Sequence, residues 1–387
     1  MANPRPSVHW RDVERYWVLP STARPQLLIP KGNRVVTAAA LLSYRALRPR
    51  KIRMGRSGLG WAASCGLPPS VGTLTVQVKS AATNPVALPL AEISRNIGAG
   101  PLAAAIGIRL GDNRKPTLQL FDAKGGAVGY AKLAWNDSSS GFIRTEQKAL
   151  ASLSGGSEHM RVPELAGTGT WDGYPYLIST PLPSNVQAVR GAVGKPTAQE
   201  MFSLCGVTRH GTVGGTAHFS ALSQRLESLP EYSDGSGGKL AAATKRVERL
   251  LRTRNAILPV SARWHGDMVP WNMAREPSGV LWCWDWETAE PDAVAGLDAW
   301  HWAVSVRRES RGSFNSDDWH AAARDVQPYL QAAAIPRSAW ADLSAVYALV
   351  VAERAWTLAS ANGSWDSSWL SPENLIGILD TAARALD

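Results

Sequence analysis

The chain has few cysteines and no long apolar run, and each absence excludes a class of protein. Its three cysteines, Cys65, Cys205 and Cys283, are odd in number and lack a CxxC or metal-like spacing, so neither a disulfide framework nor a zinc site is expected. We expect reduced, buried thiols. No apolar run reaches the roughly 18 residues that span a bilayer, and the first residues, MANPRPSVHWRDVERYW, lack the apolar core of a signal peptide. We therefore expect a cytoplasmic protein without a transmembrane segment.

Acidic residues are fewer than basic ones, with 32 Asp and Glu against 41 Lys and Arg and a net charge of +9. Much of the excess lies before residue 60, where a basic run from Arg45 to Arg56 follows an Ala/Leu-rich helix candidate, 35–47. Two interpretations stay open: weak peripheral contact with anionic lipid or a polyanion, or a solvated face on a packed helix. No nucleic-acid partner is expected. Hydrophobic residues make up 45% of the chain, which is enough to build large cores.

One compact segment, 264–287 (WHGDMVPWNMAREPSGVLWCWDWE), carries the residues that phosphoryl transfer requires. Asp267 is placed to orient an acceptor hydroxyl and take its proton. Asn272 and Asp285 offer the hard oxygen ligands that Mg²⁺ takes. Two short strand-like runs, 273–276 and 280–284, flank Pro277-Ser278-Gly279, a turn signal. The predicted hairpin returns Asp285 to the side of Asn272.

The residues His265-Gly266-Asp267-Met268-Val269-Pro270-Trp271-Asn272 resemble the HGDxxPxN catalytic loop of the aminoglycoside phosphotransferase and choline kinase-like family. Trp284-Asp285-Trp286-Glu287 resembles the metal-binding segment of the same family. The resemblance implies an α+β, two-lobed protein kinase-like fold, with a small antiparallel-sheet lobe and a mainly helical large lobe. It also implies an enzyme that uses ATP, or GTP, with Mg²⁺. Gly266 and the inserted Pro270-Trp271 favour a small-molecule kinase over a protein kinase, and we expect His265 to hold the loop by a hydrogen bond.

Strand-like runs at 73–79, 102–110, 116–121 and 127–134, followed by a helix candidate at 141–153, match the order of a kinase-like small lobe. Lys132 lies on the third strand of the last three, and Glu146 lies in the helix. The resemblance implies that Lys132 contacts the nucleotide phosphates and that Glu146 holds it in place. The other interpretation is a surface lysine and an unrelated glutamate.

The same strand count places the nucleotide-covering loop at 111–115, where Arg114 and Lys115 face phosphate; a count shifted by one strand places it at 98–100. The segment 162–183 reads as two strands around Trp171-Asp172-Gly173, followed by the connector between the lobes. The resemblance implies that this connector binds adenine through its main chain. Pro181 has no N–H, so we expect the Thr180 carbonyl and the Leu182 amide to make these contacts and Ile178 to line the adenine pocket. An ordinary surface loop is the alternative.

Helix candidates follow at 197–204, 219–229, 239–252, 297–308, 316–334, 338–361 and 372–386. We expect an N-terminal extension of unknown role (1–70), a nucleotide-binding lobe (71–180) and a catalytic, acceptor-binding lobe (181–387). Asp298 resembles the family's aspartate that ties a helix to the catalytic segment, with a simple helix N-terminal acid as the alternative. The basic balance favours a neutral or anionic acceptor with a hydroxyl group, such as a sugar-containing metabolite. An aminoglycoside-type antibiotic kinase and a nucleotide-binding pseudokinase scaffold stay as alternatives.

Overall fold

The computed structural model describes residues 10–44, 47–67, 69–79, 88–108, 116–189, 194–228, 236–312, 314–362, 365 and 370–387. Its residues fall into two units. The described residues of Met1–Gly155 and Pro163–Ala188 form the first unit, and those of Gly156–Val162 and Val189–Asp387 form the second.

The first unit is built on an antiparallel sheet that has eight strands among the described residues. The strands are β1 (Trp10–Ser21), β2 (Arg24–Pro30), β3 (Thr73–Lys79), β4 (Ala103–Gly107), β5 (Thr117–Phe121), β6 (Ala127–Leu133), β8 (Leu165–Trp171) and β9 (Tyr174–Ser179). Their order across the sheet is β3-β1-β2-β4-β5-β6-β9-β8. The sheet therefore includes strands from the N-terminal segment whose role the sequence leaves open.

Four helices pack on this sheet within the described residues: α1 (Arg34–Leu42), α2 (Arg50–Ser64), α3 (Pro89–Asn96) and α4 (Asp137–Leu153). Asn33 caps α1 by accepting hydrogen bonds from the Val35 and Val36 amides, and Asn136 forms a capping box with Ser139 at the start of α4. Two apolar clusters form the core. One contains Ile29, Leu41 and Phe121 beneath α1 and α2; the other contains Ile93, Leu120, Tyr176 and Ile178 beneath α3.

Most of the predicted elements of the first unit are confirmed. The strands β3, β5 and β6 and the hairpin of β8 and β9 lie where the sequence predicts them, with Asp172 and Gly173 at positive φ in the turn. The strands β1 and β2 and helix α3 were not predicted. Of the three cysteines expected to be buried, Cys65 is exposed, whereas Cys205 and Cys283 are buried.

The second unit is mainly helical in its described part. Its helices are α5 (Ala198–Phe202), α6 (Ala217–Glu227), α7 (Ser236–Arg254), α8 (Leu297–Arg311), α9 (Ser316–Ala332), α10 (Trp340–Asn362) and α11 (Pro372–Leu386). Each lies on a predicted helix, with ends that differ by a few residues. A small antiparallel sheet of β11 (Val207–Thr212), β12 (Ile257–Trp264) and β15 (Glu290–Val294) carries the segment that resembles a catalytic loop. The α+β prediction is confirmed.

The predicted hairpin after the catalytic loop is also confirmed. The strands β13 (Met273–Arg275) and β14 (Leu281–Cys283) pair antiparallel, and β14 pairs parallel with β7 (Met160–Arg161). The tryptophans of this unit include four that are buried in its core: Trp300, Trp302, Trp319 and Trp356. Across the described helices, none combines the length and the apolarity needed to cross a membrane.

Candidate active site

The loop His265–Asn272 joins β12 to β13 and is held in a conformation that requires glycine at its second position. Gly266 has φ +82°, and a Cβ at this residue would lie 2.4 Å from the Thr288 carbonyl oxygen. Any larger residue would meet both a strained backbone and a direct clash. The glycine therefore lets the loop pass close to the turn that follows β14.

Asp298 anchors the start of this loop to α8. Its carboxylate accepts hydrogen bonds from the backbone N–H groups of His265 (2.9 Å) and Gly266 (3.1 Å), and the residue is 4% exposed. Hydrogen bonds that involve an ionised group are stronger than neutral ones. Asp298 is thus placed as the family resemblance implies, with both carboxylate oxygens on loop amides.

Three further contacts fix the loop. The His265 ring accepts a hydrogen bond from the Asp267 amide at Nδ1 (3.1 Å), which leaves Nε2–H to donate to the Trp284 carbonyl (3.1 Å). Arg354 on α10 donates to the Gly266 carbonyl at 2.7 Å, and its guanidinium lies 5.1 Å from the Trp264 ring centre. His265 therefore holds the loop, as the sequence predicts, and Arg354 supports it from a distant helix.

The Asp267 side chain is fixed at both oxygens and still open to solvent. Asn272 Nδ2 donates to Oδ2 at 2.8 Å, and His301 Nε2 lies 3.1 Å from Oδ1. The Asp267 side chain is 36% exposed, whereas that of His301 is 12% exposed. A carboxylate that neighbouring side chains hold in place and that is also exposed to solvent can receive a proton from a hydroxyl group that approaches it.

The tautomer of His301 follows from its two partners. A carboxylate only accepts hydrogen bonds, so Nε2 carries the proton that points at Asp267. The other nitrogen, Nδ1, then accepts from the Tyr347 hydroxyl, 3.0 Å away. Burial raises the pKa of Tyr347, which keeps this hydroxyl protonated. The result is a directed chain of hydrogen bonds from Tyr347 through His301 to Asp267.

Burial and charge act in opposite directions on this pair. Burial lowers the pKa of His301 and outweighs the Asp267 carboxylate, which raises it. For Asp267, burial raises the pKa, but the hydrogen bond from His301 and the nearby positive charge of Arg354 outweigh it, so the pKa lies below the ordinary aspartate value. At neutral pH Asp267 is therefore ionised and His301 is neutral.

Asn272 and Asp285 are neighbours through the hairpin. The Trp284 N–H donates to the Asn272 carbonyl at 3.1 Å, directly before Asp285. The Asn272 amide nitrogen donates to both the backbone carbonyl and the carboxylate of Asp267, so Oδ1 is left without a partner among the described residues. Asp285 has φ +71° and is 5% exposed. A non-glycine residue at positive φ is uncommon and is held there by its surroundings.

Lys132 and Glu146 meet within the first unit. Lys132 Nζ lies 2.7 Å from Glu146 Oε1 and 2.6 Å from Oε2, and the two side chains are 13% and 5% exposed. The lysine extends from β6 and the glutamate from α4, as the sequence predicts. Their pairing excludes the interpretation as a surface lysine and an unrelated glutamate; contact with phosphate stays a prediction.

The structure does not bring Ile178 to the face of the sheet that carries Lys132. In the ladder of β6 and β9, Ile178 is opposite Ala131 and Leu177 is opposite Lys132. Opposite residues share a face and consecutive residues alternate, so Ile178 points away from Lys132. It is fully buried in the cluster beneath α3. Leu177 and Ser179 share the face with Lys132 instead.

The two connector groups that are expected to bind adenine are available for hydrogen bonds. The Thr180 carbonyl and the Leu182 amide have no partner within the described part of the chain, whereas the Leu182 carbonyl accepts from the Tyr44 hydroxyl. Thr180 is tied to Glu164 through both its amide and its hydroxyl. Arg114 and Lys115 lie outside the described residues.

His301, Tyr347 and Arg354 were not predicted from the sequence. One signal was present for His301, because it lies three residues after Asp298 and thus on the same face of α8. Tyr347 and Arg354 lie seven residues apart on α10, which also places them on one face. Nothing in the sequence alone says which face of α10 meets the loop.

No protein-family model matches the sequence, and neither does any curated protein. Similar solved structures include a choline/ethanolamine kinase family protein from Mesorhizobium loti, with 13% identity over 79% of this chain and 91% of that chain and a TM-score of 0.44. An amicoumacin kinase in complex with AMP-PNP, Ca²⁺ and Ami has 12% identity, 73% and 87% coverage and a TM-score of 0.46. A spectinomycin phosphotransferase in complex with ADP has 11% identity, 76% and 97% coverage and a TM-score of 0.40.

The first carries the name of the choline kinase-like family that the catalytic-loop motif resembles, and the other two are named as a kinase and a phosphotransferase. All three TM-scores are below 0.5.

Proposed function

We propose that the chain is a phosphotransferase that moves the γ-phosphate of ATP, with Mg²⁺, to a hydroxyl group of a small molecule. The observation that carries this proposal is the Asp267 carboxylate, which Asn272 and His301 hold at both oxygens and which is still 36% exposed. Its lowered pKa keeps it ionised at neutral pH. Asp267 orients the acceptor hydroxyl and takes its proton as the oxygen bonds to phosphorus.

The donor set beside Asp267 fits Mg²⁺. Asn272 Oδ1 is an amide oxygen with no partner among the described residues, and Asp285 adds a carboxylate on the adjacent strand end. Hard divalent cations take carboxylate and amide oxygens and keep several waters. Asn272 and Asp285 would hold the ion, which when bound neutralises the charge on the phosphate oxygens.

The first unit supplies the nucleotide contacts in this proposal. Lys132 binds the phosphates, and Glu146 keeps the lysine side chain extended toward them. The Thr180 carbonyl and the Leu182 amide bind the adenine edge. Both are backbone groups, so their side chains do not decide between ATP and GTP.

The acceptor is proposed to be neutral or anionic. The chain carries 41 Lys and Arg against 32 Asp and Glu, and Glu290 and Glu353 of the second unit are each paired with Arg225, at 3.1 and 3.2 Å. An aminoglycoside is a polycation, which this basic balance does not favour. A sugar or sugar-containing metabolite fits better than an antibiotic of that type.

Nucleotide binding is tested by thermal stabilisation with ATP–Mg²⁺ and GTP–Mg²⁺. The wild type and Lys124→Ala, a change of an exposed lysine, should be stabilised equally, whereas Lys132→Ala and Asp285→Asn should lose most of the shift. Equal stabilisation of all four proteins would remove both residues from the nucleotide site. Radiolabel transfer from ATP to sugars, amino alcohols, nucleosides and aminoglycosides then identifies the acceptor class. Stabilisation without transfer to any class would favour a pseudokinase scaffold.

A further inference from the structure

The N-terminal part of the first unit carries a concentration of basic charge that the proposed catalysis does not use. No Asp or Glu occurs between Glu14 and Glu92, and eleven Lys and Arg lie in that stretch. One of these residues, Arg56, holds α2 against α1, because its guanidinium donates to the Leu41 carbonyl at 3.1 Å and to the Ala40 carbonyl at 2.6 Å. Arg50, Lys51 and Arg53 on α2 are exposed, and none has an ion-pair partner among the described residues.

Helix α2 has one packed face and one outer face. Leu59, Gly60 and Ala63 pack against α1, where a Cβ at Gly60 would lie 2.7 Å from the Leu42 side chain. The opposite side of the helix carries Arg50, Arg53, Met54 and Trp61, with Lys51 at its margin; these five residues define the outer face of α2. Met54 and Trp61 are seven residues apart, which places them about 10 Å apart along the same side.

Exposed apolar side chains are frequent in this stretch of the sequence. The described chain has thirteen large apolar residues that are strongly exposed, and five of them lie between positions 35 and 67: Val35, Ile52, Met54, Trp61 and Leu67. Met54 is 64% exposed and Trp61 is 66% exposed. Single exposed apolar residues need no explanation, but Met54 and Trp61 share one helix face with exposed basic residues, a combination that is typical of an interaction surface.

We propose that the outer face of α2 is a docking surface for an anionic lipid membrane. Arg50, Lys51 and Arg53 attract the negative headgroups, and Met54 and Trp61 insert at the boundary between headgroups and acyl chains. A nucleic acid satisfies the charges but gives the two apolar side chains no comparable environment. A second copy of the chain would bring two like-charged faces together. An anionic lipid surface is the occupant that can contact both the basic and the apolar side chains of the outer face of α2.

The test is flotation of the full chain with vesicles of phosphatidylcholine alone or of phosphatidylcholine with phosphatidylglycerol. The wild type should bind only the anionic vesicles. About 1 M salt should release it, because the electrostatic screening length is then only about 3 Å. The triple variant R50Q/K51Q/R53Q should bind about 100-fold more weakly, because each of the three basic residues contributes a similar share of the binding free energy at an anionic surface. A matched control is K239Q/K245Q/R249Q, three exposed basic residues on α7, which should bind as the wild type does.

The variant M54Q/W61Q separates lipid from other polyanions. Both positions are exposed, so the fold should be retained, and vesicle binding should fall by about tenfold because the apolar anchors are lost. Binding to a short DNA duplex should be unchanged in this variant. Failure of the wild type to float with anionic vesicles would overturn the proposal. So would an equal loss in the α7 control, or vesicle binding that M54Q/W61Q leaves unaltered. None of these readouts depends on phosphotransfer.

Discussion

His301 and Asp267 are 34 positions apart in the chain, and their side chains meet at 3.1 Å between Nε2 and Oδ1. Asp267 belongs to the motif that the sequence displays, whereas His301 belongs to no motif. The histidine determines which way the carboxylate points, and Tyr347 determines which nitrogen of the histidine carries the proton. Asp267 is thus positioned by two residues outside its own loop.

Replacement of His301 by Phe should lower kcat by about tenfold to hundredfold, the value of a hydrogen bond to a charged group. KM for ATP should change little. The pKa of Asp267 should rise once the donor is removed, because burial remains, so the acidic limb of the kcat/KM profile should move to higher pH. Tyr347→Phe, which removes only the partner of Nδ1, should give a smaller loss. An unchanged pH profile in His301→Phe would show that the histidine does not position Asp267.

Asp298→Asn should destabilise the protein by about 2 kcal/mol, since one of the two loop amides would then face an NH₂ group and lose its acceptor. Urea unfolding measures this cost. Asp325→Asn is the matched control, because Asp325 is 46% exposed in its pair with Arg307 and should change stability by no more than about 0.5 kcal/mol. Equal effects in the two variants would contradict the anchoring role of Asp298.

Gly266→Ala and Gly279→Ala separate backbone strain from steric clash. Both glycines have positive φ, but a Cβ at Gly279 meets nothing within 4 Å, whereas at Gly266 it meets the Thr288 carbonyl oxygen at 2.4 Å. Gly279→Ala should cost about 1 kcal/mol. Gly266→Ala should cost more and should abolish turnover, because the loop must move. Comparable unfolding midpoints for the two variants would show that the loop tolerates displacement.

His218 should make stability depend on pH. Burial, followed by the charges of Arg225 and Arg354, lowers its pKa from 6.5 to about 3. The unfolded chain therefore binds this proton first, so the contribution to stability is complete above pH 6.5 and is lost as the pH falls toward 3. His218→Phe keeps a ring against Trp264 and removes the titration. Between pH 6.5 and pH 3, the free energy of unfolding of this variant should fall less steeply than that of the wild type, by about 1.4 kcal/mol per pH unit. If the free energy of unfolding varied with pH equally in the wild type and in His218→Phe, the assignment of this pH dependence to His218 would be wrong.

Local patterns predicted the parts of the fold that local physics determines. Pro277-Ser278-Gly279 between two apolar runs was enough to predict the hairpin that joins Asn272 to Asp285. Apolar residues at three- and four-residue spacing located the helices of the second unit. Lys132 and Glu146 were assigned from the family resemblance together with the order of a strand and the helix after it.

The missed features depend on contacts between distant parts of the chain. Strand β1 contains Pro20 and β2 contains Pro25 and Pro30, so neither has a clean alternating pattern, and β1 is held by pairing with β3, more than forty residues further along. Ile178 was expected at the adenine pocket, but the register with β6 turns it to the other face of the sheet. Register, like the face of α10 that carries Tyr347 and Arg354, is set by tertiary packing.

The most direct measurement is transfer of the γ-phosphate from labelled ATP–Mg²⁺ to the preferred acceptor, with wild type and Asp267→Asn compared at equal nucleotide occupancy. We expect labelled acceptor with the wild type, at least a hundredfold less with Asp267→Asn, the range of a lost general base, and ATP–Mg²⁺ binding retained in both. Transfer by Asp267→Asn at the wild-type rate would contradict the assignment of the base. A wild-type protein that neither binds ATP–Mg²⁺ nor labels any acceptor would contradict the phosphotransferase itself.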